Sequence, residues 1–256
     1  MAAADEAVDR LESVVRPFGH ALAFGPAAPA FARRLTPKAG VGRLTLACEA
    51  EALLHGQGVA ASPDALPFTG ESFDLVVSLM SLHATDALPA ALLEARRVLR
   101  PDGLFVALFP GERTLHELRA ALRQGEAEVT GGVSPRVAPM VAVRDGGALL
   151  QGAGFALPVA DVVPVRVRYA DPARLLSDLR AMGETNASVS GPRGAMRRDV
   201  LGASLAAYAR DTGGKAPASF DLVALTGWAP HESQQKPLAP GSARASMAEA
   251  VRRAND

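Results

Sequence analysis

The chain is short of cysteine, lysine and aromatic residues, and each shortage narrows what it can be. A single cysteine, Cys48, in 256 residues excludes an intrachain disulfide and a cysteine-built zinc cluster. Lysine occurs only as Lys38, Lys215 and Lys236, so the basic side chains are nearly all arginine. Aromatics make up 5% of the residues, which leaves Ala, Leu and Val to build the core. Net charge is missing too, because 27 Lys+Arg balance 27 Asp+Glu. A protein that grips nucleic acid through its phosphates usually carries a basic surplus, so no nucleic-acid partner is expected. No stretch reaches the ~18 apolar residues of a membrane span. Asp5, Glu6, Asp9 and Glu12 near the start fit neither a secretory signal nor an acid-poor transit peptide. A cytoplasmic location is expected, and the Arg- and Ala-rich, Lys-poor composition suggests a GC-rich bacterial genome.

What is present is ordinary for a globular chain: 48% hydrophobic and 21% charged residues. The length fits one elaborated domain, at roughly 150 residues per domain. Residues 4–18 predict a helix with Val8, Leu11, Val14 and Val15 on one face. HALAF (20–24) reads as a buried strand ending at Gly25, and PAFARRL (29–35) as a helix with proline in its first turn. RLTLA (43–47) is a strand, EAEALL (49–54) helical, and GVAA (58–61) a weak third strand. SFDLVVSLMSLH (72–83) holds a central strand, with Phe73, Leu75 and Val77 on one face and Val76 on the other. DALPAALLEARRVLR (86–100) is a helix, and Pro101, Asp102 and Gly103 make a tight reversal into the strand DGLFVALF (102–109). Helices follow at 114–129 and 145–155, then an extended run at 157–169. Two more helices at 173–183 and 197–210 precede a last strand at 219–229. Strand and helix alternate over 20–169, which predicts an α/β parallel sheet covered on both faces. The tail after Pro230, rich in Ser, Gln, Pro and Ala, is expected to be extended or disordered.

An open sheet of this kind binds its ligand beyond the carboxyl ends of its strands. The turns at 24–29, 47–50, 61–66 and 79–86 are therefore the places where chemistry is expected.

ALPFTGESFDLVVSLMSLHATDALPAALLEARRVLRPDGLFVAL (65–108) resembles the central motifs of class I S-adenosylmethionine-dependent methyltransferases. TLHELRAALRQGEAEVTGGVSPRVAPM (114–140), YADPARLLSDLRAMGETNA (169–187) and GWAPHESQQKPLAPGSA (227–243) resemble one branch of them. That branch surrounds mitochondrial complex I assembly factor 5 and its bacterial relatives. The resemblance covers roughly residues 20–245. It implies a seven-stranded Rossmann-like sheet, parallel except for a last strand antiparallel beside 157–169. It also implies a single domain over 1–229, with a helical insertion at 170–212 capping the active-site mouth, and a tail at 230–256. The implied cofactor is S-adenosylmethionine. The implied target is a protein side chain, an arginine of a respiratory complex I subunit, modified by methylation or hydroxylation.

The resemblance also exposes departures. The family's first turn carries an acid and then a glycine-rich loop; here LAFGPAAPAF (22–31) keeps Gly25 but has Ala23 for the acid. Pro26, Ala27 and Ala28 replace the loop, and Pro26 has no N–H to donate. Cys48 stands where an acid takes the ribose hydroxyls, with Glu49 one residue late. Ser62 stands where an Asp reads the adenine, with Asp64 and Ala65 just beyond. The family's His-Trp pair is His83 followed by Ala84. A pocket without its ribose carboxylate forfeits charge-assisted hydrogen bonds worth about 1.5–3 kcal/mol each, and two such losses move micromolar binding toward millimolar.

The candidate cofactor residues are Gly25, Cys48, Glu49, Asp64, Ala65 and His83. His83 is also the candidate general base. Glu184 and Asn186 of MGETN are candidate substrate contacts. Each has a plainer reading. Gly25 is also a turn glycine, Cys48 a small buried hydrophobe, Glu49 a first-turn acid and His83 a packing residue. MGETN is also a helix C-terminal turn. Arg193, Arg197 and Arg198 are either a solvated face or a contact for an acidic partner. His116 reads as structural, and His231 in the HES string has no reading of its own. No metal-ligand spacing links the five histidines. Two functions stay open: an enzyme acting on a protein side chain, and a cofactor-poor assembly or partner-binding factor. A dinucleotide oxidoreductase is disfavoured because no GxGxxG follows the first strand.

Overall fold

A computed structural model describes residues 2–186, 191–192, 194–235 and 252. In chain order the elements are α1 (Ala2–Glu12), β1 (Phe18–Phe24), α2 (Ala28–Ala32), β2 (Val41–Cys48), β3 (Val59–Ala60), β4 (Phe73–Leu79) and α3 (Leu88–Val98). Then come β5 (Leu99–Pro110), α4 (His116–Thr130), α5 (Val143–Gly152), β6 (Ala156–Tyr169), α6 (Pro172–Ala181), α7 (Arg198–Ala207) and β7 (Ala216–Trp228). The strands form one seven-stranded sheet in the order β3-β2-β1-β4-β5-β7-β6. Its pairs are parallel out to β5, and β7 runs antiparallel to both β5 and β6. From β1 the chain steps outward to β2 and β3, then returns to β4 on the other side. The crevice between β1 and β4 is thus the topological switch point.

Period-2 alternation splits the core into two layers. Leu22, Phe24, Val76, Phe105, Ala107 and Phe109 bury one face under α3 and α5. Ala21, Ala23, Leu75, Val77, Leu104 and Val106 bury the other under α1 and α2. Phe18, Phe31, Phe73, Phe105 and Phe109 are fully buried, so the few aromatics are spent inside, each worth about 1.5–3 kcal/mol. A third cluster stands apart. Leu115, Leu118 and Leu122 at α4 meet Leu175, Leu179 and Tyr208 of the segment between β6 and β7. Helices α4 and α7 cross closely at Gly125, where an added Cβ would lie 2.3 Å from the Ser204 nitrogen.

Four local expectations change. Helix α1 stops at Glu12 instead of running to 18, because Pro17 disfavours a helical Arg16; Val15 ends fully exposed rather than on the buried face. Phe73 packs with Val76, not with Leu75 and Val77. Between Phe73 and Leu75, strand β5 carries extra residues, since Phe73 faces Leu99 while Leu75 faces Leu104, and such a bulge breaks the alternation. Pro101, Asp102 and Gly103 accordingly sit inside β5 rather than in a turn before it, with Asp102 at φ +62. The start of the tail is tied down: Gln234 donates to Asp102 Oδ1 at 3.0 Å and to the Ala229 carbonyl at 2.8 Å. Arg16 donates to Asp102 Oδ2 at 2.6 Å and lies over Trp228. The Gln234 amide and the Arg16 guanidinium hold the Asp102 carboxyl below its usual range against partial burial. The HES string thereby has a structural role at the amino end of the sheet, where His231 Nδ1 pairs with Ser233 Oγ at 2.7 Å. The rest of the tail, Arg252 aside, and Arg193 lie outside the described residues.

Candidate functional site

Strand β1 delivers Gly25 to the switch point. Its N–H donates to the Ala47 carbonyl of β2 at 2.9 Å, and its φ is +103. A Cβ there would sit 2.3 Å from the Leu79 carbonyl oxygen of β4. Strand packing alone therefore demands glycine. Beyond it, the Ala28 N–H donates to the Gly25 carbonyl at 3.0 Å and opens the short helix α2.

Strand β2 delivers Cys48 and Glu49. Cys48 is buried, and burial pushes its thiol up, the setting of an inert hydrophobe rather than a nucleophile. Glu49 is exposed. After β3, the Ala65 N–H donates to the Ser62 carbonyl at 3.2 Å, a tight turn that leaves Asp64 and Ala65 exposed. Ser62 Oγ lies 3.2 Å from Glu49 Oε1 and 2.5 Å from Asp64 Oδ1. One hydroxyl holds one proton, so it serves one carboxylate at a time. Glu49 Oε2 and Asp64 Oδ2 accept no hydrogen bond among the described residues. Two carboxylates thus gather at the ends of β2 and β3 with lone pairs to spare.

Strand β4 delivers Ser78, Ser81 and His83. The hydroxyls of the buried Ser78 and Ser81 meet at 3.0 Å. Beside them Phe24, Pro63, Leu66, Val76 and Leu82 line a narrow apolar slot. The His83 side chain is 6% exposed. Its Nε2 lies 3.1 and 3.2 Å from the two oxygens of Glu184, and its Nδ1 is buried with no partner among the described residues.

Glu184 reaches His83 because α6 ends in a Schellman motif. Gly183 adopts φ +80 and donates to the Arg180 carbonyl at 3.1 Å, while the Glu184 N–H donates to the Leu179 carbonyl at 2.9 Å. MGETN is thus a helix C-terminal turn, and that turn aims Glu184 at the end of β4. Asn186 goes elsewhere: its Nδ2 donates to the Pro135 carbonyl at 3.0 Å in the loop after α4. The structure therefore joins His83 with Glu184, and Ser62 with Glu49 and Asp64, while Asn186 donates into the loop after α4. The sequence missed Ser62 as the bridge between carboxylates; its position between two acids at successive strand ends was the available signal. His116 accepts no catalytic company, with Nδ1 against the Arg113 carbonyl at 3.0 Å. Arg197 pairs with Asp199 at 2.5 Å. Asp221 is already engaged by Arg166 at 2.7 Å.

A switch-point crevice, a seven-stranded sheet with antiparallel β7, and acids at the ends of β2 and β3 define the class I methyltransferase fold. Residues 29–107 match the model of a methyltransferase domain. The YcgJ protein from Bacillus subtilis shares the fold, with a TM-score of 0.60 at 14% identity over 90% of this chain and 99% of that one. The chain is 37% identical over 252 residues to the mitochondrial arginine-hydroxylase NDUFAF5 of Danio rerio, covering 94% of this chain and 78% of the relative. The Mus musculus protein of that name is also 37% identical, covering 94% and 73%. The chain belongs to this family of methyltransferase-like proteins. Among the described residues, no helix is long and apolar enough to cross a membrane.

Proposed function

We propose that the chain binds S-adenosylmethionine across the carboxyl ends of β1, β2 and β4 and modifies an arginine side chain of a partner protein. The observation that carries this reading is the pair of carboxylates gathered by Ser62 beside the Gly25 turn. Ribose hydroxyls and the adenine amino group are donors, and Glu49 and Asp64 respectively have acceptor lone pairs to meet them. The carboxylate missing at Cys48 is supplied one residue later by exposed Glu49, so the residues present fit the cofactor. Gly25 keeps the strand ends close, while Cys48 and Ala65 flank the base. When bound, S-adenosylmethionine supplies an activated methyl group.

The substrate reading rests on the relatives, whose name is arginine-hydroxylase. An arginine of a respiratory complex I subunit is the target that the resemblance implies. The segment 170–212, with Glu184 and Asn186, selects it, and His83 contacts it at the pocket mouth. That segment stands on α4 through Leu175 and Leu179 and reaches β4 through Glu184, which supports a capping role. The composition favours a bacterial cytoplasm, whereas the relatives are named mitochondrial. The non-catalytic alternative rests on the departures at the first turn, Cys48, Ser62 and Ala84, and the carboxylates of Glu49 and Asp64 beside two of those positions weigh against it.

Calorimetry of the purified protein with S-adenosylmethionine, against an unrelated adenine nucleotide, tests the cofactor reading. Selective micromolar binding is the expected result, and none at millimolar cofactor would overturn it. Peptide mass analysis of complex I from cells with and without this chain tests the arginine reading. Loss of one oxygen or one methyl from a single arginine decides the reaction, and an unchanged arginine set contradicts the reading.

A further inference from the structure

We infer that Glu94 and Arg97 of α3 are positioning residues that aim the loop after β3 at the cofactor's base, and so set a preference for adenine. The inference rests on reading Asp64 as the acceptor for the adenine amino group, and it deepens that reading.

Glu94 and Arg97 stand one turn apart on α3. Arg97 donates to both Glu94 oxygens, from Nε at 2.7 Å and from Nη2 at 2.8 Å. The backbone of a single loop residue closes a ring with this fork. The Leu66 N–H donates to Glu94 Oε2 at 3.0 Å, and the Leu66 carbonyl accepts from Arg97 Nη2 at 3.0 Å. Arg97 Nη1 also donates to the Phe68 carbonyl at 2.8 Å. Hydrogen bonds to ionised groups are roughly twice as strong as neutral ones. As an ion pair alone the two residues would add little, because both side chains are partly exposed. Their larger effect is to fix the loop backbone.

That backbone carries Asp64. Upstream, the Ala61 N–H donates to the Cys48 carbonyl and the Ala65 N–H to the Ser62 carbonyl, each at 3.2 Å. Downstream, the chain is held by the ring at Leu66, whose side chain is buried. Asp64 and Ala65 lie between these anchors, and both are exposed. Asp64 is close enough for its charge to be felt: the hydrogen bond from Arg97 holds the Glu94 carboxyl below its usual range, against burial and against Asp64. An acceptor discriminates between ligands only while its supporting shell holds it in place. Released at Leu66, the loop would let Asp64 turn toward water and lose its selection for a donor at the purine 6-position.

The test is calorimetry with S-adenosylhomocysteine and S-inosylhomocysteine, which carry an amino group and a carbonyl at that position. Their ribose and amino-acid ends are the same, so the Glu49 contact cancels in the ratio of affinities. The wild type should prefer the adenosyl ligand about tenfold. Glu94→Ala and Arg97→Met should each cut that preference to about threefold or less, and the pair together should do no worse than either alone, because the ring acts as a unit. Glu94→Gln keeps an acceptor for Leu66 and should retain most of the preference. Amide exchange at Leu66, measured without ligand, should quicken in Glu94→Ala and stay slow in Glu94→Gln. Asp102→Asn weakens the fold at the other end of the sheet and should leave the ratio alone. An unchanged ratio in Glu94→Ala and Arg97→Met overturns the inference, as does a Glu94→Gln protein as unselective as Glu94→Ala, or an equal fall in Asp102→Asn. If the wild type binds both ligands and the variants leave the ratio unmoved, this inference falls alone. If the wild type binds neither, the cofactor reading falls and takes it along.

Discussion

At the amino end of the sheet Asp102 accepts from Arg16 and Gln234, and Asp74 accepts from the His20 N–H and from Arg100, each at 2.9 Å. At the carboxyl end Glu49 and Asp64 share one hydroxyl, and His83 keeps a buried nitrogen without a partner among the described residues. The first arrangement pairs each charge with its complement, as folding favours. The second gathers like charges and leaves an acceptor unmet, which folding does not favour. One sheet thus spends its polar groups on stability at one end and holds them available at the other. That contrast, more than any single motif, is what supports placing the proposed site at the carboxyl end.

The sharpest way to break it is Gly25→Ala. The added Cβ meets the Leu79 carbonyl at 2.3 Å in a left-handed conformation, so a loss of about 3 kcal/mol or more is expected in chemical denaturation. Glu49→Gln with Asp64→Asn should act on binding instead. Affinity for S-adenosylmethionine should drop by about 2 kcal/mol, roughly thirtyfold, by calorimetry, with stability unchanged. Gly125→Ala should cost about 1–3 kcal/mol by forcing α7 off α4, and hydrogen exchange in α6 and α7 should quicken with it. Asp102→Asn should cost least, about 0.5–1 kcal/mol, because the pair with Arg16 is one-third exposed. Its sign with pH is fixed: the folded carboxyl lies below its usual value. The stabilisation is therefore full above the unfolded value of about 3.9 and fades as pH falls through the folded one. Denaturation curves for the native and Asp102→Asn proteins should converge in acid.

The alternation of strands and helices over 20–169 and the helices on both faces were legible because strand alternation and glycine stops are local signals; the seven strands and the antiparallel last strand came from the family resemblance. Gly25 and Gly183 were visible for the same reason. The union of His83 with Glu184 was not, since 101 residues separate them and only the anchoring of α6 on α4 brings them together. Phe73 was assigned to the wrong face because the bulge that turns it belongs to the neighbouring strand. The first residues past β7 read as loose tail because Gln234 finds its partner in Asp102, far back in the chain. Periodicity reports what a segment buries; it does not report which distant polar group a turn will meet.

The central claim, that the carboxyl end of the sheet is a cofactor site and the amino end is scaffold, has one direct measurement. It is the thermal midpoint with and without S-adenosylmethionine for the wild type, Asp102→Asn and the Glu49→Gln, Asp64→Asn double variant. The account predicts that the ligand raises the midpoint of the first two alike and raises the third much less, by about 2 kcal/mol of lost stabilisation at saturating ligand, although the third without ligand is as stable as the wild type. No rise in the wild type, or an equal rise in all three, would contradict it.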